Sequence, residues 1–164
     1  MNETLKKFST TQFLYFCLGF FGLQFAWQMR LALSGPVLEA LGSNPTIYGL
    51  ISLAGPFSGM IVQPIIGVLS DKTTSKWGRR RPYLLGGAIL ASIALWIFPN
   101  SGAIVNALGM GKVCAGLLGL VLAGIMIWII DACVNIAQGP YRALIPDVVP
   151  REQHAIANSY LSFA

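Results

Sequence analysis

The chain has 164 residues, of which 55% are hydrophobic and 10% charged, with 18 glycines and a formal net charge of +5. An ordinary soluble domain carries roughly 25% charged residues, so there are too few charges here to cover a water-facing surface. The basic excess lies between apolar runs instead of forming one face, which speaks against a nucleic-acid partner and fits loops beside membrane spans.

The charged positions leave residues 8–29, 40–70 and 82–111 empty, and 113–141 with Asp131 alone. Each gap matches or exceeds the roughly 20 residues that a helix needs to cross about 30 Å of hydrocarbon. A polar start with Lys6 and Lys7 leads into a first span over about 12–34, longer than the roughly 7–15 residues of a signal-peptide core, and Gly35-Pro36 is read as its end. After the turn Gly42-Ser43-Asn44-Pro45 comes a second span over about 46–69, with Pro56 and Pro64 as breaks. The stretch 70–82 is a basic loop. A third span over about 83–98 closes at Pro99-Asn100, and 101–111 is an apolar connection. A fourth runs over about 113–138 and stops at Gly139-Pro140, 140–153 is polar, and 155–164 begins a fifth helix that stays incomplete.

This pattern predicts an all-α membrane protein with helices 1–4 and the start of a fifth. Lys6, Lys7, Lys72, Lys76, Arg79, Arg80, Arg81, Arg142 and Arg151 fall on one side of these spans and Lys112 on the other. Short loops rich in Lys and Arg stay in the cytoplasm, which predicts a multi-pass cell-membrane protein with its amino terminus inside. Cys17, Cys114 and Cys133 lie in apolar stretches in an odd count, and His154 has no ligand-like neighbour, so neither a disulfide framework nor a metal site is expected.

Polar residues inside the spans carry the chemistry. Asp131 sits in an otherwise uncharged run, so its carboxylate pairs, takes up a proton or opens onto water, or else serves as a fixed structural ion pair. Asn135, one turn on, shares its helical face. Gln24, Trp27 and Gln28 share a face of the first span, where amides beside an indole suit either a sugar or an amide network between helices. Arg30 lies about 27 Å from the inner end of its predicted span and Asp131 about 12 Å from that of its own, so a direct pair between them is not expected. Gly55 and Gly59, and Gly116, Gly119 and Gly124, are candidates for close helix packing.

The loop Gly67-Val-Leu-Ser-Asp71-Lys-Thr-Thr-Ser-Lys76-Trp-Gly78-Arg79-Arg80-Arg81-Pro82 resembles the major facilitator superfamily signature G-x-L-x-D-R-x-G-R-R with four residues inserted. That longer form is similar to the sucrose/proton symporters of the glycoside-pentoside-hexuronide group. So are Gly55-Pro-Phe-Ser-Gly-Met-Ile-Val-Gln63-Pro64 and Asp131-x-x-x-Asn135-x-x-Gln138-Gly139-Pro140-x-Arg142-Ala143-Leu144-x-x-Asp147. The resemblance implies a non-enzymatic sugar transporter working by alternating access. It implies proton coupling at Asp131, with the proton as coupling ion and no other cofactor, and a sugar path along Gln24, Trp27, Gln28, Asn135, Arg30 and Asn158. Asp71, Gly78, Arg79 and Arg80 would form a conformational latch, or a positive anchor against lipid, with Arg142 and Asp147 as a counterpart. Such carriers have twelve helices in two halves, so the chain reads as part of the amino-terminal half, with the missing helices expected on the same chain. A sodium-coupled melibiose-type symporter and a non-transporting membrane assembly protein are the alternatives.

Overall fold

The computed structural model describes residues 7–109 and 112–163, and the side chains of all of these but 112–115. Lys6, Ala164 and the side chains of Lys112 and Cys114 lie outside that description. As expected, the fold is all-α, with no strand among the described residues.

Helix α1 spans Thr10–Ala40. Ser9 and Gln12 close its start reciprocally: the Ser9 hydroxyl accepts from the Gln12 amide, and the Gln12 side chain accepts from the Ser9 amide. It runs through Gly35-Pro36 and ends at Gly42, whose φ of +84° is a left-handed turn that suits glycine. There the Gly42 amide donates to Glu39 O and the Ser43 amide to Leu38 O, the paired bonds of a Schellman cap. Asn44 then caps α2, Pro45–Ser52, by accepting from the Ile47 amide. The chain breaks at Leu53 before α3, Ala54–Lys72. Pro56 has no N–H to offer the Ser52 carbonyl, and that is where the helix interrupts.

Helix α4, Arg81–Ala107, passes through Pro99, and α5, Lys112–Val148, passes through Pro140 and Pro146. Pro36, Pro99 and Pro140 therefore kink or thin the hydrogen bonding without ending a helix, which a packed membrane helix tolerates when neighbours cover the freed carbonyls. A single 3₁₀ turn at Arg151–Gln153 leads into α6, His154–Ser162.

Among the described residues three stretches are long and apolar enough to cross a membrane: Pro45–Lys72, Arg81–Ala107 and Gly116–Val148. At 31 residues α1 is about 46 Å long, but Gln24, Gln28 and Arg30 lower its hydropathy. Leu14, Phe21, Ile89, Ile93 and Trp96 stay exposed, as side chains facing lipid would.

The core has two parts. One joins Leu38 of α1, Ala91, Ala94 and Phe98 of α4, and Ile127, Ile130 and Val134 of α5. The other joins Phe13 and Phe20 of α1, Ile145 and Val149 at the end of α5, and Ala157 and Leu161 of α6. Close helix approach depends on Gly87, where a Cβ would lie 2.7 Å from the Cys133 carbonyl oxygen, and on Gly119, whose Cβ would lie 3.2 Å from the Gly102 Cα. Gly116 has nothing within 4 Å, while Gly55 and Gly59 face polar side chains of α5 instead of backbone.

Candidate functional site

One face of α5 carries Asp131, Asn135 and Gln138 at spacings of four and three, which stacks them along a single stripe. All three are buried, at 4%, 3% and 4% exposure. Each meets a polar partner from another helix. Arg30 of α1, 3% exposed, donates from Nη2 to Asp131 Oδ2 at 2.5 Å. Asn135 donates to the Ser58 hydroxyl at 2.9 Å and to Asp131 O at 2.8 Å, and accepts from Gln63 Nε2 at 2.6 Å. Gln138 Nε2 donates to Gln24 Oε1 at 2.6 Å.

The Arg30–Asp131 pair corrects the expectation that the two lie at different depths. The amino end of α1 and the carboxyl end of α5 sit together, as the Phe8 amide bond to Gln153 Oε1 shows. Because α5 continues through Pro140 to Val148, Asp131 lies about 26 Å from that end, close to the about 30 Å that separates Arg30 from Thr10. Burying two charges is expensive, and the opposite charge together with further hydrogen bonds offsets that cost. Gly55 and Gly59 of α3 face this stripe, where a Cβ would stand 3.7 Å from Asp131 Oδ2 or Asn135 Oδ1, an ordinary van der Waals contact.

Below the Gln24–Gln138 bridge a polar cleft of about 410 Å³ opens between α1, α5 and α6, lined by Phe20, Gln24, Arg142, Asn158, Leu161 and Ser162. The Arg142 guanidinium carbon stands 5.7 Å from the Phe20 ring centroid, over its face. Such a cleft offers amide and guanidinium hydrogen bonds beside an aromatic ring, the combination that suits a polyhydroxylated ligand. A larger cleft of about 580 Å³ between α2 and α5, around Ile51, Val121 and Trp128, is apolar but for the Trp128 indole N–H and offers no set of converging hydrogen-bond groups for such a ligand.

Of the expected sugar-path residues, Gln24 and Asn158 line this cleft, and Asn135 and Arg30 sit deeper in the network. Trp27 packs against the apolar core, and Gln28 is exposed without a side-chain hydrogen bond to another described residue. Gln138, Ser58, Gln63 and Phe20 were not singled out from the sequence as site residues. Gln138 was accessible to it, seven residues from Asp131 and on the same face; the α3 and α1 partners depend on tertiary packing.

Near the α3–α4 connection, Arg80 Nη2 stands 3.0 Å from Asp71 Oδ1, and its Nε donates to Asp147 Oδ2 at 2.7 Å. Arg79 adds a 3.7 Å contact to Asp147. Gly78, with φ of +94°, makes the turn that sets these arginines. Asp71 and Asp147 therefore share one arginine, so the two expected latches are one network. Arg142 is not in it: five residues before Asp147 it points about 140° away around α5, into the cleft.

The sequence model of a family described as MFS/sugar transport protein matches residues 37–160. A sucrose transport protein of Arabidopsis thaliana is 40% identical over 144 residues, covering 84% of this chain and 24% of its own length. One of Oryza sativa subsp. japonica is 38% identical over 144 residues, covering 84% and 27%. A general alpha-glucoside permease of Schizosaccharomyces pombe is 32% identical over 159 residues, covering 97% and 29%. The chain thus spans about a quarter of the length of these curated relatives. No solved structure matches it significantly. With the family model covering most of its helices, the chain is a member of the MFS/sugar transport protein family and not an enzyme.

Proposed function

We propose that the chain belongs to a carrier that moves a disaccharide or related glycoside across the cell membrane by alternating access, with a proton as the coupling ion at Asp131. The observation that carries this reading is the polar column, which runs from a cleft of Gln24, Arg142 and Asn158 beside Phe20, through the Gln24–Gln138 bridge, to the buried Asp131. The sucrose and alpha-glucoside names of the relatives support the substrate class. In this reading Arg142 and Asn158 hold sugar hydroxyls, the buried Phe20 ring backs the Arg142 guanidinium, and Asp131 takes a proton from one side and releases it to the other. The Asp71–Arg80–Asp147 network acts as the latch that opens when one half rocks against the other. Helices on the same chain beyond these residues would close the path, and the nine-to-one excess of basic residues supports an amino terminus in the cytoplasm.

The test is uptake of radiolabelled sucrose by the full-length protein in proteoliposomes, driven by a pH gradient or by a sodium gradient. The reading expects accumulation with the pH gradient alone, and a KM raised about tenfold, or about 1.4 kcal/mol, in Asn158→Leu and Arg142→Gln. Accumulation that follows sodium and survives a collapsed pH gradient, or cleft variants with unchanged KM, contradicts it.

A further inference from the structure

We infer that Arg30 is the residue that ties proton movement to sugar movement: it occupies the Asp131 carboxylate in the empty carrier and yields it only when sugar supplies Arg30 with other partners. This rests on the reading of Asp131 as the proton site and assigns Arg30 a role that the reading does not contain. The pair is closed, at 2.5 Å with both side chains buried. Among the described residues Arg30 is the one charged group that faces Asp131. From α3 come Gly55 and Ser58, α4 packs on α5 through Gly87, Ala91, Ala94 and Phe98, and the neighbour on α5 itself is Asn135.

A guanidinium keeps its charge at any accessible pH. A proton arriving at Asp131 in the empty carrier would therefore strand a buried cation, which is costly. Loading becomes acceptable once other oxygens accept from Arg30, and its Nε stands buried with no hydrogen-bond partner among the described residues. The sugar cleft lies on the same side of α5: Gln138, which bridges to the cleft residue Gln24, is two turns from Asp131 on the same face, about 10 Å, so sugar reaches Arg30 by parting the Gln24–Gln138 bridge. The proton comes from water on the entry side and forms the carboxyl O–H of Asp131, while Arg30 stays charged and donates to sugar hydroxyl oxygens. On the exit side the proton returns to water, the sugar leaves and the ion pair re-forms. The pair carries no net charge when empty and one positive charge when loaded.

The test uses the full-length protein. In proteoliposomes with a trapped pH dye and no sugar, the wild-type protein holds an imposed pH gradient. Arg30→Gln, in which nothing guards the carboxylate, should dissipate it at least tenfold faster and lose sucrose accumulation, and Arg30→Lys should restore both in part. Equal gradient decay and equal accumulation in wild type and Arg30→Gln overturn the inference. A measurement on unmutated protein covers the case in which Arg30→Gln does not fold. Sucrose added to the detergent-solubilised carrier in weakly buffered solution should draw about one proton per sugar bound, and no uptake on binding overturns the inference. Accumulation that persists in Asp131→Asn instead removes the underlying proton site, an outcome that the two results above do not mimic.

Discussion

Arg30 and Asp131 cancel each other's charge in a place where neither would be stable alone. Removing one partner of a buried pair leaves the other uncompensated and costs about 3–5 kcal/mol, whereas removing both costs much less. Arg30→Ala and Asp131→Ala should therefore each lower the unfolding temperature in detergent strongly, and the double variant should recover most of the loss. A strictly additive result would mean that the pair is not formed in the membrane. The sequence made half of this pair legible. Asp131 and Asn135 announce themselves by charge in an apolar run and by four-residue spacing, and Asp131 and Gln138 by the same face. The partner was not legible, because the depth of Asp131 depends on where α5 ends, and α5 runs through Pro140 and Pro146 to Val148.

At the scale of helices, charge gaps located the spans and misplaced their ends. Gly35-Pro36, Pro99-Asn100 and Gly139-Pro140 all look like stops, yet α1, α4 and α5 continue through them, as proline-containing helices do when they pack against neighbours in a membrane. The left-handed turns at Gly42 and Gly109 are the real ends of α1 and α4. Of the glycines expected at close contacts, Gly119 approaches backbone and Gly116 does not, and the tightest approach to backbone is at Gly87, which no repeated spacing marks. Gly87→Ala would push a methyl against the Cys133 carbonyl and should destabilise the α4–α5 pair by about 1–3 kcal/mol. Gly116→Ala, with open space around it, should be near neutral. Thermal unfolding of the two variants side by side checks this, and equal stability would refute the packing seen here.

Across the molecule, Arg80 ties the end of α3 through Asp71 to the end of α5 through Asp147. These charges are partly exposed, with Asp71 more than half so, and exposed pairs contribute only about 0–1 kcal/mol each. Arg80→Gln should thus leave stability nearly unchanged. If the network is the proposed latch, the same variant should slow sugar turnover several-fold with little change in KM, since it alters the balance between states and not the cleft. Unaltered turnover would leave the network as a topology anchor beside lipid.

The central claim is that Asp131 carries a proton in step with sugar. It is tested most directly by recording external pH while sucrose is added to proteoliposomes of the full-length protein with no gradient imposed. The wild-type carrier should alkalinise the medium as sugar enters, and Asp131→Asn, inserted to the same level, should give no pH change. Alkalinisation of equal size from Asp131→Asn would contradict the account.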